Sequence, residues 1–327
     1  MPTIRHVAEH ARVSTATVSA VLNRSSYVSP ELTARMKEAV EALDYTINEL
    51  ARGLQTHQTK TIGMLVPEII SPFHATVVRG AEERLKRSGY SVLLGVTYDT
   101  PKEQSRYLSL FLAKQVDGLL VIPAPGDEKD IQHLVEKKRP VVFVSRPPRT
   151  FDADTIALDH TKCARMVTNH LIGRGHSRIA IITLSLLLTV GLDRVTGWRR
   201  ALHKHKLPIR EDYIRESDKS AESVQQAMDY LLNLDEPPTA LYIGSMTMLP
   251  AVLRALKAHH LNCPDDFEVV TSHDSELLDV MSPPICGVDH FGSEIGFKSA
   301  ELLLKRIRHP NRRAEKILLA PKLKIRG

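Results

Sequence analysis

The sequence predicts an all-α helix-turn-helix headpiece followed by an α/β core of two doubly wound parallel-sheet lobes. Three observations carry this. The first 45 residues hold three short helical periodicities with cap signals and no strand-like run. From Thr61 onward, short and wholly apolar runs alternate with helical stretches, the pattern of parallel sheets covered on both faces. That rhythm continues for about 260 residues, enough for two lobes with a cleft between them.

The first helix is expected after Thr3 as N-cap, with Ile4, Val7, Ala8 and Ala11 on one face. The second lies in "RVSTATVSAVLN", residues 12–23, with Ser14 as N-cap and Val18, Val21 and Leu22 repeating at i, i+3, i+4. Its other face is Thr15, Ala16, Ser19 and Ala20, where a solvated helix usually carries charged side chains. The third starts at Ser29-Pro30-Glu31: an N-cap, a proline at the first helical position and an acid at the positive helix end. It should run to about Leu43, burying Leu32, Met36, Val40 and Leu43. Residues 46–60 are polar and weakly periodic, and read as a linker holding a marginal helix at Asn48–Leu54.

In the core, strands are expected at 61–67, 90–96, 116–122, 140–145, 178–183, 239–244 and 267–272. Helices are expected at 74–88, 102–114, 127–138, 161–174, 194–206, 220–234 and 247–260.

Bulk composition narrows the function classes. Hydrophobic residues at 43% and charged residues at 25% are those of a globular protein. No signal-peptide layout opens the chain, and no run of about 18 apolar residues would span a membrane, so a cytoplasmic location is expected. Cys163, Cys263 and Cys286 are odd in number and far apart, as in reduced thiols. The net charge of +6 points only weakly to nucleic acid. Residues 1–60 carry seven basic and six acidic residues, whereas the tail from Lys305 carries nine basic residues against Glu315 alone.

Consecutive segments then carry a family resemblance: "TIRHVAEHARVSTATVSAVLN", "VSPELTARMKEAVEALDY", "NELARGL", "TKTIGMLVPEIISPF", "RGAEERLKRSGYSVLL", "QVDGLLVIP", "PVVFVSRP", "ARMVTNHLIGRGHSRIAII", "DRVTGW", "PPTALYIGS" and "SEIGFKSAELLL". The chain resembles the lactose/galactose/purine-repressor family of bacterial transcription regulators over nearly its whole length. The resemblance implies a DNA-binding headpiece at 1–47, a hinge helix and linker at 48–60, and a periplasmic-binding-protein-like core. Its N-terminal lobe would be 61–161 with 292–320, and its C-terminal lobe 162–291 with 321–327. It also implies a homodimer on a double-stranded, near-palindromic operator, with a small-molecule effector, a sugar or sugar acid. No cofactor is implied.

This accounts for the bare helix face. A recognition helix must lie close in the major groove, and small side chains allow that approach. Thr15 and Ala16 stand at its start, Thr17 beside them. Ala20 occupies a position where the family often carries a long base-reading side chain, so a bidentate contact worth ~1–3 kcal/mol of discrimination is missing. Phosphate contacts are expected from Arg5, Arg24, Arg35 and Arg52 and from Thr3, Ser14, Thr17 and Ser19. In the hinge, the resemblance places Asn48 at the start, Ala51 and Arg52 within, and Leu54 as a wedge between base pairs of the minor groove.

For the effector, the resemblance points to Phe73, His74, Ser145, Arg194, Trp198, Ser245, Asp274 and His290. Here the chain departs from the family: Gly244-Ser245 replaces Asn-Asp, Ser145 an aspartate, His290 a glutamine and His74 an aromatic residue. Loss of acidic and amide groups beside Arg194 suggests an anionic effector.

The rival classes are a sugar-binding protein without DNA function and a sugar-modifying α/β enzyme. The sequence holds no GxSxG, P-loop or HExxH signature. His6 and His10, one helical turn apart, lack a third metal ligand and read as surface.

Overall fold

The computed structural model of the chain describes residues 2–23, 27–45, 58–126 and 128–326. The chain forms two compact units, Met1–Thr59 and Lys60–Gly327.

The first unit holds α1 (Ile4–Ala11), α2 (Thr15–Asn23) and α3 (Pro30–Ala42). Their apolar stripes meet in one small core of Val7, Ala8, Ala11, Val18, Met36 and Ala39. The Thr3 N–H donates to His6 Nδ1 (3.2 Å) at the start of α1, and the Leu32 N–H donates to Ser29 Oγ (3.4 Å) at the start of α3. Of the residues expected to be buried on α3, Met36 is fully so. Val40 and Leu43 are half-buried against the core, and Ala39 is fully buried in it. A three-helix unit this small can cover only a narrow stripe.

The second unit opens with β1 (Thr61–Val66), α4 (Pro72–Lys86), β2 (Ser91–Val96), α5 (Pro101–Ala113), β3 (Gly118–Val121), α6 (Lys129–Glu136), β4 (Val141–Val144) and β5 (Thr155–Leu158). A second lobe follows: α7 (His160–Gly173), β6 (Ile179–Thr183), α8 (Thr189–Lys204), β7 (Ile214–Glu216), α9 (Ala221–Leu232), β8 (Ala240–Ile243), α10 (Leu249–Ala258), β9 (Glu268–Thr271) and β10 (Cys286–Asp289). The chain returns to the first lobe with α11 (Gly292–Arg308) and β11 (Lys316–Leu319), then ends in the second with β12 (Lys322–Lys324).

The two sheets have strand orders β11-β5-β4-β3-β1-β2 and β12-β10-β9-β8-β6-β7. All pairings are parallel except β10 with β12. Strand alternation splits the first lobe into two cores. Ile62, Met64 and Val66 face α4 and α11, whereas Leu65, Val121 and Phe143 face α5 and α6. Where α4 and α11 cross, a Cβ on Gly296 would stand 2.0 Å from the Val77 carbonyl oxygen, so only glycine permits that approach.

The chain thus passes between the sheets after Leu158, after Asp289 and after Leu319. The first two crossings lead directly into His160 and His290.

Several elements differ from expectation. α8 begins at Thr189, five residues before the expected start, because "LLLTVGL" is apolar enough to pass for the end of a strand and its loop. β5, β7, β10, β11 and β12 were not expected; β7, β11 and β12 are edge strands with exposed positions and so lack a wholly apolar run. α11 was also missing from the expected helices. No helix among the described residues is long and apolar enough to cross a membrane.

Candidate functional site

Two surfaces carry chemistry. On α2, Ser14 caps the helix by accepting the Thr17 N–H (3.1 Å), and its hydroxyl meets Thr17 Oγ1 at 2.9 Å. Val18 is fully buried, which fixes the rotation of the helix. Ser14, Thr15 and Ala16 are therefore exposed, and Thr17, Ser19 and Ala20 are half-exposed. The outward side of α2 is small, uncharged and rich in hydroxyls.

Thr3 and Arg5 are also exposed. Arg35 is exposed, and its Nη2 donates to the Ala11 carbonyl (2.5 Å), closing the C-terminus of α1 onto α3. That bond spends part of its donor set within the headpiece. Arg24, Asn48, Ala51, Arg52 and Leu54 lie outside the described residues.

The second surface is the cleft between the lobes. Its inner cavity, about 30 Å³, is walled by Ser71, Phe73 and His74 from the start of α4, by Ser145 and Arg146 after β4, and by His160. The second lobe adds Leu184, Val190, Arg194, Gly244, Ser245 and His273. These are strand ends and helix starts, where a doubly wound sheet exposes its ligand crevice. Ser145 holds a left-handed backbone (φ 63°), an uncommon state for a non-glycine residue that recurs at binding sites.

Arg194 is 1% exposed, and its Nε and Nη1 have no hydrogen-bond partner. A Cβ on Gly244 would stand 3.1 Å from Nη1, so any larger residue there would press on the guanidinium. The Tyr242 hydroxyl is hydrogen-bonded to Arg194 and meets Cys163 Sγ at 3.6 Å.

Histidines fill the rest. His273 stacks on His290 with ring centroids 4.0 Å apart; Phe73 packs on both, and His160 lies 5.9 Å from His290. Burial, then the Arg146 and Lys219 charges, lowers the His74 pKa to about 3. Burial, then Arg194, lowers that of His290 to about 3. His160 and His273 are held well below the usual range for the same leading reason, burial, which penalises the charged ring. All four imidazoles are neutral at pH 7. Among the described residues no three His, Cys, Asp or Glu side chains are grouped as a metal site.

The cleft's other charges are paired. Arg146 bonds Asp99 (2.5 Å) and the Pro123 carbonyl (2.8 Å), while Lys219 bonds both Asp99 and Glu68 at 3.0 Å. Burial pushes the Asp99 carboxyl up, but Arg146 and Lys219 together outweigh it and hold it well below the usual range.

Three effector expectations need correction. Trp198 is fully buried in the second-lobe core and donates its indole N–H to the Ile179 carbonyl (3.1 Å), leaving no face for a ligand. Asp274 is committed to Arg326 (2.6 Å) of the C-terminal segment; its neighbour His273 takes the place on the wall. His290 stands one layer back, behind His273. Residue-by-residue reasoning missed Arg146, His160 and Lys219. Arg146 had a signal, since it directly follows Ser145 in "VSRP"; Lys219 sits in a polar loop without any.

Comparison with known proteins shows the family of this chain. Residues 3–48 match the family model of bacterial regulatory proteins, lacI family, and residues 168–327 match a periplasmic binding protein-like domain. The Escherichia coli ribose operon repressor is 33% identical over all of this chain and 99% of its own length. The chain belongs to the LacI family. It is a DNA-binding transcription regulator with an effector-binding core, not an enzyme. The HTH-type transcriptional repressor PurR of Actinobacillus pleuropneumoniae is 30% identical over 94% of this LacI-family chain and 92% of its own. Among solved structures, the lac repressor dimer bound to operator and the anti-inducer ONPF superposes with a TM-score of 0.87, at 26% identity, over 98% of this chain and 97% of that one.

Proposed function

We propose that this LacI-family protein is an effector-controlled repressor of carbohydrate-related genes, acting in the cytoplasm as a homodimer on a near-palindromic operator. The carrying observation is the outward side of α2, where Ser14, Thr15 and Ala16 face solvent while Val18 anchors the helix. Small hydroxyl and methyl groups there let the helix backbone approach base edges in the major groove. The similar lac repressor, bound to operator as a dimer, supports the partner and the two-fold arrangement. Asn48, Ala51, Arg52 and Leu54 form the hinge contribution to this reading, with Leu54 as the minor-groove wedge.

Control comes from the cleft, where Phe73, His74, Ser145, Arg194 and Ser245 are proposed to meet a sugar or sugar acid. An effector shifts operator affinity only by its differential affinity for the two arrangements of the lobes.

A mobility-shift titration tests the reading. Ala16→Asp places a negative charge on the groove-facing side and should lower operator affinity at least 100-fold. Unchanged affinity would remove α2 from the interface.

A further inference from the structure

We propose that the cleft takes a small polyhydroxy anion, a sugar acid or sugar phosphate, with its oxyanion seated on Arg194. The inference rests on the reading of this cleft as the effector site, and it commits to the chemical class of that effector.

Among the charged groups of the cleft, Arg146 and Lys219 are matched by Asp99 and Glu68. Arg194 has no such match: its guanidinium is buried, its Nε and Nη1 have no partner, and Glu68, the one carboxylate on the same cavity wall, is bonded to Lys219. Asp193, its neighbour in sequence, interacts with Arg194 through space but makes no ion pair with it and does not line the inner cavity. An uncompensated buried charge is costly, and an incoming oxyanion relieves that cost while satisfying the unmet N–H groups.

Polarity then specifies the remainder of the ligand. His160 Nε2 lies 3.3 Å from the Ser145 carbonyl, which only accepts, so that nitrogen carries the proton. Nδ1 of the neutral ring is then an acceptor, buried and without a partner. An anionic group cannot satisfy it, but a ligand hydroxyl can. His74 Nδ1 is likewise buried and unpartnered. The side chains of Leu184 and Val190 supply an apolar wall for carbon-bound hydrogens. One molecule thus needs an oxyanion at one end and hydroxyls along its length.

Access has a visible route. The inner cavity, at about 30 Å³, shares Glu68, Leu184 and Lys219 with an outer interlobe cavity of about 510 Å³. Entry therefore passes the Lys219 bridge.

The test is calorimetric titration of the full chain with C5 and C6 aldonates, uronates and sugar phosphates, each beside its neutral parent sugar. Trp198, the single tryptophan, sits one helical turn from Arg194 and gives an independent fluorescence readout. The expected result is at least one anion binding 100-fold more tightly than its parent; carboxylate and phosphate arms show which oxyanion is preferred. Arg194→Met should abolish that preference, and Arg194→Lys should restore part of it. His160→Phe, with Arg194 intact, should weaken the anion about tenfold or more. A parent sugar that binds as tightly as its anion overturns the inference, as does a panel in which no anion binds at 1 mM. A mobility shift on the same samples separates the two readings. A neutral sugar that alters operator affinity leaves the effector reading standing and sinks this one. An anion that binds without altering operator affinity does the reverse.

Discussion

Lys219 Nζ lies 3.0 Å from Asp99 Oδ2, an ion pair that joins the second lobe to the first. Lys219 also holds Glu68 at 3.0 Å, and its own backbone is left-handed (φ 76°). Strain of that kind, of order 1–3 kcal/mol, persists only where surrounding contacts hold it. Lys219→Met should remove the bridge yet leave Asp99 paired with Arg146. The expected outcome is a destabilisation of about 1–3 kcal/mol in urea denaturation, with a larger radius of gyration from lobe opening. An unchanged radius in solution scattering would mean that other contacts, such as Arg149 to the Leu187 carbonyl and Thr189 to the Pro147 carbonyl, keep the lobes together.

Stability should fall with acid earlier than carboxylate titration alone would cause. His74 and His290 titrate near 3 in the folded chain and near 6.5 when unfolded. Between those values the unfolded state binds more protons, so stability rises with pH. There is no penalty above about 6.5 and a growing one as pH falls toward 3. At pH 5.0 each of the two groups should cost about 2 kcal/mol. The groups facing this cluster are His160, His273, Arg146, Arg194 and Lys219, with Asp99 and Glu68. Urea denaturation of wild type and His290→Gln at pH 5.0 and pH 7.5 checks the sign: the variant should lose less stability on acidification.

Ser14→Ala should cost the headpiece about 0.5–2 kcal/mol, because the Thr17 N–H loses its acceptor. Operator affinity should fall with it, since the start of α2 frays where it meets bases. Thermal unfolding together with a mobility shift measures both. A stability loss without any loss of affinity would separate the cap from the interface.

Leu54→Ala should weaken operator binding far more than nonspecific binding, since a wedge acts only where a bent site forms. Competition against bulk DNA reads that ratio. Equal losses would make Leu54 an ordinary linker residue.

How much of this was legible in the sequence follows from the length of each signal. The headpiece helices carry caps at Ser14 and Ser29 that fix their starts to the residue. The inner strands are apolar from end to end and were placed within about two residues. The edge strands β7, β11 and β12 keep exposed positions and so show no wholly apolar run, and the start of α8 hides in an apolar run. In the cleft, Arg194 was legible through its motif. The pairings of the acidic groups were not: Asp274 bonds Arg326 and Asp99 bonds Arg146, partners separated by 52 and 47 residues. No local pattern encodes such a choice of partner. Trp198 shows the converse: the resemblance points to it as a ligand contact, whereas its indole N–H is donated to the Ile179 carbonyl inside the core.

The most direct measurement is selection of bound sites from random double-stranded DNA with the full chain. A pair of small-faced helices related by a two-fold axis should enrich a near-palindrome, its half-site centres about 10 base pairs apart, and Ala16→Asp should enrich nothing. Enrichment of an asymmetric site, or of the same site by Ala16→Asp, would contradict the account.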